Sequence, residues 1–394
     1  MKKKLLWLLP LSFALAACEA PGSTDLGDGD NDGEDGSDGA GNNSGNGGDG
    51  AGGGEPEVDP ALAAREVDYN EALRTASLKL TRRLPTLEQI RAVQNADDKA
   101  AAYEIEIDRL LGDPQFNVRM LKLWRDTMRM GGGDLDTAPT FAAKLMAEGR
   151  PFSELFTATT GNCPTIDTDA GTFADGDCQS GAPVQAGVLT DPAVQRQFYG
   201  NMAFRRVRWI QETFYCAKMP AEVADAPTQV DGKDFTSPWP FESIANDPIP
   251  FLDTQSVVCA NCHTTLNHIA PIFGNFDADG MWQDSISVMT PIAPEPIPTE
   301  LSHWLPAGET LAWKLGTPVT TLADYGQALA LDPLVAECVV ARMWNFAMSK
   351  EDIVTDLATV PYGVIQSHVE SFDDGQDLKE TLRGMLLSED FVSF

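Results

Sequence analysis

Basic and imidazole side chains are scarce in this chain of 394 residues: 28 Lys and Arg stand against 59 Asp and Glu, and there are four histidines. The formal charge of −31 argues against nucleic-acid binding, because a polyanion is held through clustered cations that displace its counterions. The same deficit repels anionic lipid headgroups. Past the N-terminal leader no run of 18 apolar residues occurs, so no membrane-spanning helix is expected. G-x-S-x-G, H-E-x-x-H and the P-loop are all missing, which removes the best-marked hydrolase and nucleotide-binding chemistries.

The few basic residues that open the chain have a use. Lys2, Lys3 and Lys4 precede a short apolar stretch, residues 5–14, in the manner of a signal peptide. The stretch ends in Leu15-Ala16-Ala17-Cys18, which resembles a bacterial lipobox. That resemblance implies removal of residues 1–17 and acylation of Cys18, placing the protein in the cell envelope, at the periplasmic face or cell surface, on a lipid anchor. An ordinary signal peptide with a chance cysteine is the alternative. Residues 18–60 are then a tether: Gly, Asp, Asn and Ser, with twelve acidic residues and no Lys or Arg from 19 onward. Too little apolar surface is present to offset the entropy of ordering. Residues 28–33 begin like a calcium loop, but Gly39 stands where the bidentate Glu belongs. Residues 61–394 retain a charge of −22, 47 acidic against 25 basic, a surface that steers a basic partner or simply keeps the protein soluble.

Cys259-Ala260-Asn261-Cys262-His263 is the most specific chemical signal. C-x-x-C-H is the attachment sequence of a c-type haem: each sulfur forms a thioether to the porphyrin, and the adjacent histidine is the proximal iron ligand. One covalent haem c is therefore expected, held by Cys259, Cys262 and His263. A disulfide or half of a zinc site is the alternative, and zinc needs a second ligand pair that the sequence does not supply. Export supports the haem reading, because c-type attachment takes place outside the cytoplasm. The sixth position decides whether the iron is closed for electron transfer or open to small ligands. His303, Met281, Met289 and His268 are the candidates; Met343, Met348 and His368 read as core positions on helices.

The folded region reads as mainly α. Apolar spacing predicts helices over 61–83, from 86 onward with Thr86 and Gln89 as a capping box, and over 100–111, 116–130, 141–148 and 152–158, giving an N-terminal helical domain at 61–160. A Cys-bracketed loop, a long helix over 191–219 and a Pro-rich connector fill 161–250. Residues 251–394 form the haem-binding region and C-terminal helices, with irregular, Pro-rich segments and short strands over 290–320 and helices over 333–348, 361–372 and 377–388. In an exported protein Cys163 and Cys178 pair across their loop, whose Asp167, Asp169, Asp175 and Asp177 either solvate it or hold a cation. Cys216 and Cys338 remain as a second disulfide. Residues 275–280 again begin like a calcium loop, with Ile286 at its twelfth position.

Taken together, residues 65–394 resemble the planctomycete-type cytochrome C domain families, secreted proteins of planctomycetes and myxobacteria. The resemblance rests on Leu78-Lys79-Leu80-Thr81-Arg82-Arg83-Leu84-Pro85-Thr86, on residues 107–116, on Arg150-Pro151-Phe152, and on Ala186-Gly187-Val188-Leu189-Thr190 with residues 205–219. It continues through the haem motif to Asn275-Phe276-Asp277 and Gly280. The chain departs from it at Asn267-His268, where relatives carry Asp-Pro, and at Ser349-Lys350, where they carry Gly-Arg. The resemblance implies covalent haem and an extracytoplasmic location, and little about the reaction. The expected function is thus a membrane-tethered monohaem electron carrier serving an extracytoplasmic redox partner, which the acidic surface would steer if that partner is basic. A haem enzyme with an open iron, peroxidase-like or another oxidoreductase, and a surface-assembly module with structural haem are the alternatives. A second C-x-x-C-H is absent, so a dihaem peroxidase is not expected.

Overall fold

Asp68 sets the start of the described fold. The structure, a computed structural model, describes residues 64–219, 263, 265–289, 295–305 and 307–394, together with the strand pairing of 228–230 with 233–235. Helix α1 spans Tyr69–Thr81, and the Asp68 carboxylate accepts from the amides of Asn70 and Glu71. The expected start near residue 61 is corrected: the helix begins at the side chain that caps it. α2 (Leu87–Gln94) carries the expected Thr86–Gln89 capping box. α3 (Lys99–Leu111) is capped by Asp98, and α4 (Pro114–Met128) has proline in its first turn. α5 (Thr137–Glu148) starts four residues before the expected 141, with Pro139 in its first turn, where amides have no intrahelical acceptor. The short α6 covers Glu154–Thr157.

The loop that follows holds a two-stranded hairpin, β1 (Thr165–Asp167) with β2 (Thr172–Ala174), closed by the expected disulfide Cys163–Cys178 with Cα atoms 4.9 Å apart. Its acidic residues have local uses. Asp167 accepts from the amides of Asp169 and Ala170, Asp177 from that of Gly161, and Asp175 pairs with Lys144.

The long helix expected over 191–219 is two helices. α7 (Pro192–Gln197) stops at Phe198, and α8 (Phe204–Phe214) starts after a turn in which Asn201, Met202 and Ala203 all have left-handed backbone, at φ 45°, 53° and 62°. Gly200, at φ 125°, lets the chain enter that turn. Beyond it lie the hairpin β3 (Thr228–Val230) with β4 (Lys233–Phe235), a helical stretch at 265–269, and a 3-10 turn at Ala270–Phe273. The expected short strands appear as β5 (Ser287–Val288) with β6 (Ile297–Pro298) and β7 (Ala312–Trp313) with β8 (Thr317–Pro318). α9 (Leu322–Ala330), opened by a Thr321–Asp324 capping box, was not expected. α10 (Pro333–Ala347), α11 (Tyr362–Asp373), α12 (Leu378–Leu387) and α13 (Glu389–Val392) complete the chain.

These helices share one hydrophobic cluster running from Ala72 to Val392, and residues 59–394 form one compact unit. α12 covers α3, where the Tyr103 hydroxyl donates to Leu386 O at 2.9 Å, and residues 66 and 394 exchange two backbone hydrogen bonds. α9 lies so close on α6 that a Cβ at Gly326 would stand 2.3 Å from Phe156 O. The Cys216–Cys338 disulfide, Cα atoms 5.5 Å apart, ties the end of α8 to α10 as expected. The architecture is mainly α, and among the described residues no helix is long and apolar enough to cross a membrane.

Candidate functional site

Of the haem motif, Cys259 and Cys262 lie outside the described residues, as does the lipidation candidate Cys18. His263 is described, half-buried and helical, just ahead of the helical stretch at 265–269. Its Nδ1 lies 3.0 Å from Oδ1 of Asn267, one helical turn later. An amide oxygen only accepts, so Nδ1 carries the proton and the ring's lone pair sits on Nε2. That tautomer presents Nε2 to a metal, with the second nitrogen anchored as metal-binding histidines require. Asn267 is fully buried, which fixes the anchor. The Phe204 ring stands edge-on to the imidazole, centroids 5.2 Å apart at 89°. The donor chemistry of the described half of the site therefore fits an iron ligand.

Phe204 owes its place to what precedes it. The Met202 amide donates to Met289 O at 2.8 Å, and Met202 O accepts from the indole N–H of Trp304 at 3.1 Å. Arg206, two residues on, is 1% exposed and donates only to carbonyls: Gln195 O, Phe273 O at 2.8 Å and Phe276 O. It thereby holds the end of the helical stretch that carries His263. Burial pulls its guanidinium down to about 9, so it remains charged at neutral pH. Asn267 and Arg206 were not expected as site residues. A fourth-residue spacing from His263 marks the first; nothing separates the second from Arg205 and Arg208 in the sequence.

The four sixth-ligand candidates fall in different places. His268 is buried, with Nε2 3.1 Å from Glu309 Oε2. His303 is half-buried and its Nδ1 accepts from the Glu300 amide at 2.9 Å, closing a 3-10 turn. Met281 is 37% exposed, on a turn organised by Asp277, which accepts from the amides of Asp279 and Met281. Gly280 of that turn has φ 78°, and a Cβ there would meet Pro192 O at 2.1 Å. Met289 is half-buried and tied through its carbonyl to the turn that carries Phe204. Met289 is thus joined by a hydrogen bond to the surroundings of His263. Met343 is in the core as expected, and His368 packs its ring on Trp344 at 5.7 Å.

Two other groups compete for attention. Cys163, Cys178 and Asp191 place their ligand-type atoms within 4.8 Å of one another, but the sulfurs are bonded to each other and offer no thiolate. Asp191 is fully buried, accepts from the Thr137 hydroxyl and the Ala193 amide, and caps α7; burial pushes its carboxyl up to about 6, against those two bonds. A cavity of about 390 Å³ opens where α4, α8 and α10 end, lined by Arg129, Glu212, Arg342, Asn345, Lys350 and Asp352. Its charges are largely paired, Arg129 with Glu212 and Arg342 with Asp352, and it lies at the opposite end of α8 from Phe204.

The family described as PSCyt2, protein of unknown function (DUF1549), matches residues 59–143. The match reaches the stretches at 78–86 and 107–116 and ends well before His263, so it bears on the N-terminal helices and not on the haem motif. No curated protein and no solved structure matches the chain.

Proposed function

We propose that the protein is a lipid-anchored, extracytoplasmic monohaem c-type cytochrome that carries single electrons. The observation that supports the reading is the C-x-x-C-H motif whose histidine has its Nδ1 3.0 Å from a buried amide oxygen, the kind of anchor a metal-binding histidine uses. Cys259 and Cys262 would hold the porphyrin, and His263 the iron. Bound there, haem supplies a one-electron couple tuned by its axial ligands and surroundings. The chain's own residues contribute orientation, through Asn267, and apolar cover, through Phe204. Leu15-Ala16-Ala17-Cys18, the acidic tether and the acidic surface support a membrane-tethered carrier that meets a basic redox partner, and the match at residues 59–143 agrees with a cytochrome-associated protein.

One observation favours a second reading, an iron open to small ligands and hence a haem enzyme. His268 and His303 have ring nitrogens engaged with Glu309 and Glu300, and Met281 faces solvent, which leaves Met289 as the candidate sulfur for a closed site. The full chain, produced in a host that matures c-type cytochromes, should show a c-type haemochrome that disappears in Cys259→Ala with Cys262→Ala. A wild-type protein without haem from that host sinks the central reading. Carbon monoxide added to the reduced protein separates the two versions: no binding supports a closed carrier site, with Met289→Ala then opening it, and rapid binding to wild type supports the enzyme.

A further inference from the structure

The left-handed turn before α8 is an expense that the local sequence does not require. Three successive residues with side chains, Asn201, Met202 and Ala203, hold φ of 45°, 53° and 62°, a region that disfavours L-residues, asparagine least among them. A capping Ser or Asp would start α8 without such strain, yet no side chain caps it. Backbone of this kind persists where its surroundings over-determine it. Here they do: Met202 N donates to Met289 O at 2.8 Å, Ala203 N to Gly200 O at 3.1 Å, and the fully buried Trp304 donates its indole N–H to Met202 O. The residue delivered by the turn is Phe204, whose ring packs perpendicular to that of His263, centroids 5.2 Å apart.

We propose that this turn is a positioning device for the His263 imidazole, and that Trp304 is the positioning residue that locks it. The proposal deepens the haem reading and rests on it for its purpose, while its geometry concerns only the protein. Asn267 anchors the ring at Nδ1. The Phe204 ring, packed perpendicular to the imidazole with centroids 5.2 Å apart, limits its rotation further. Trp304 reaches His263 through two links, the Met202 carbonyl and the Phe204 ring, and so bears on the plane of the imidazole.

A matched control lies in α8. Trp209 is equally buried and donates its indole N–H to Met128 O at 2.9 Å, away from the turn. Trp304→Phe and Trp209→Phe each remove one buried indole–carbonyl bond and keep an aromatic ring. The full chain expressed without haem attachment, labelled for imidazole proton–nitrogen correlations, contains four histidines, and His263→Gln identifies the signals of interest. Trp304→Phe is expected to shift the His263 signals and Trp209→Phe to leave them in place; His303, adjacent to Trp304 in the chain, is not used as a reporter. Unmoved His263 signals in Trp304→Phe, or an equal movement in Trp209→Phe, overturn the proposal. If Trp304→Phe does not fold, Gly200→Ala disturbs the turn at its half-buried entrance, where φ is 125°, and His263 signals unchanged by it overturn the proposal equally. In the haem-loaded protein the same Trp304→Phe should move the midpoint potential and the ferric spin-resonance spectrum while Trp209→Phe moves neither. A wild type that takes up no haem would sink the haem reading alone, because the imidazole signals are read on haem-free protein.

Discussion

Helices α2 and α8 begin in opposite ways. α2 opens with Thr86 and Gln89, which bond each other's backbone across four residues. α8 opens from three left-handed residues with no capping side chain, held by Met289 and Trp304 from nearly a hundred positions away in the chain. A start of the first kind is written locally and forms wherever the segment is placed. A start of the second kind exists only after remote segments have docked. In this molecule the docked start, and not the local one, adjoins His263.

That contrast can be tested by removing what holds each start. The largest effect is expected at Arg206 in α8, whose replacement by Leu leaves the carbonyls of Gln195, Phe273 and Phe276 buried without their donor. Urea unfolding should show a loss on the order of 4 kcal/mol; a loss below about 1 kcal/mol would mean that α8 is fixed by other means.

Asp191, which caps α7, is the intermediate case: a local cap placed in a fully buried site. With its folded pKa raised by burial to about 6, the group's stabilising contribution is fully present below the unfolded value of 3.8 and is lost as pH rises through 6. Asp191→Asn keeps a capping oxygen and removes the charge. Its stability relative to wild type should therefore fall by up to about 3 kcal/mol on acidification from pH 7 to pH 4, and a pH-independent difference would refute the assignment.

The smallest effects distinguish the two starts most directly. Thr86→Ala should destabilise by about 1 kcal/mol, the ordinary value of a lost cap. Ala203→Gly, at the position that precedes α8, should be neutral or stabilising by up to about 1 kcal/mol, because glycine tolerates φ 62°. Thermal melts of the pair check both, and a destabilising Ala203→Gly would show that the turn is not strained.

The same division explains what could be read in advance. The Thr86–Gln89 capping box and the two disulfides depend on residues near in sequence or on the arithmetic of cysteines, and the mainly α architecture follows from apolar spacing, although α4 begins at Pro114, two residues before the expected 116. α9 is not among the expected helices although Thr321 and Asp324 cap it, because the Pro-rich stretch before it has the composition of irregular chain. The break at 198–203 was not legible: Phe198 to Phe204 contains one glycine and no proline, and the bonds that reverse the backbone come from Met289 and Trp304. Within the site, His263 was evident from the motif and Asn267 only as a departure from relatives, whereas its role needed the 3.0 Å contact. Burial chose Arg206 over its neighbours, and burial is a property of the assembled chain.

The Cys216–Cys338 bond has one more consequence. It closes a covalent ring, spanning a sequence separation of 122, and the haem motif lies inside that ring. A protease that cuts once anywhere between those two cysteines would leave both fragments joined through sulfur, so a porphyrin attached at Cys259 and Cys262 would still travel with α1 and α13 alike. On a non-reducing gel the nicked protein should run as one haem-bearing species, and only a reductant should divide it.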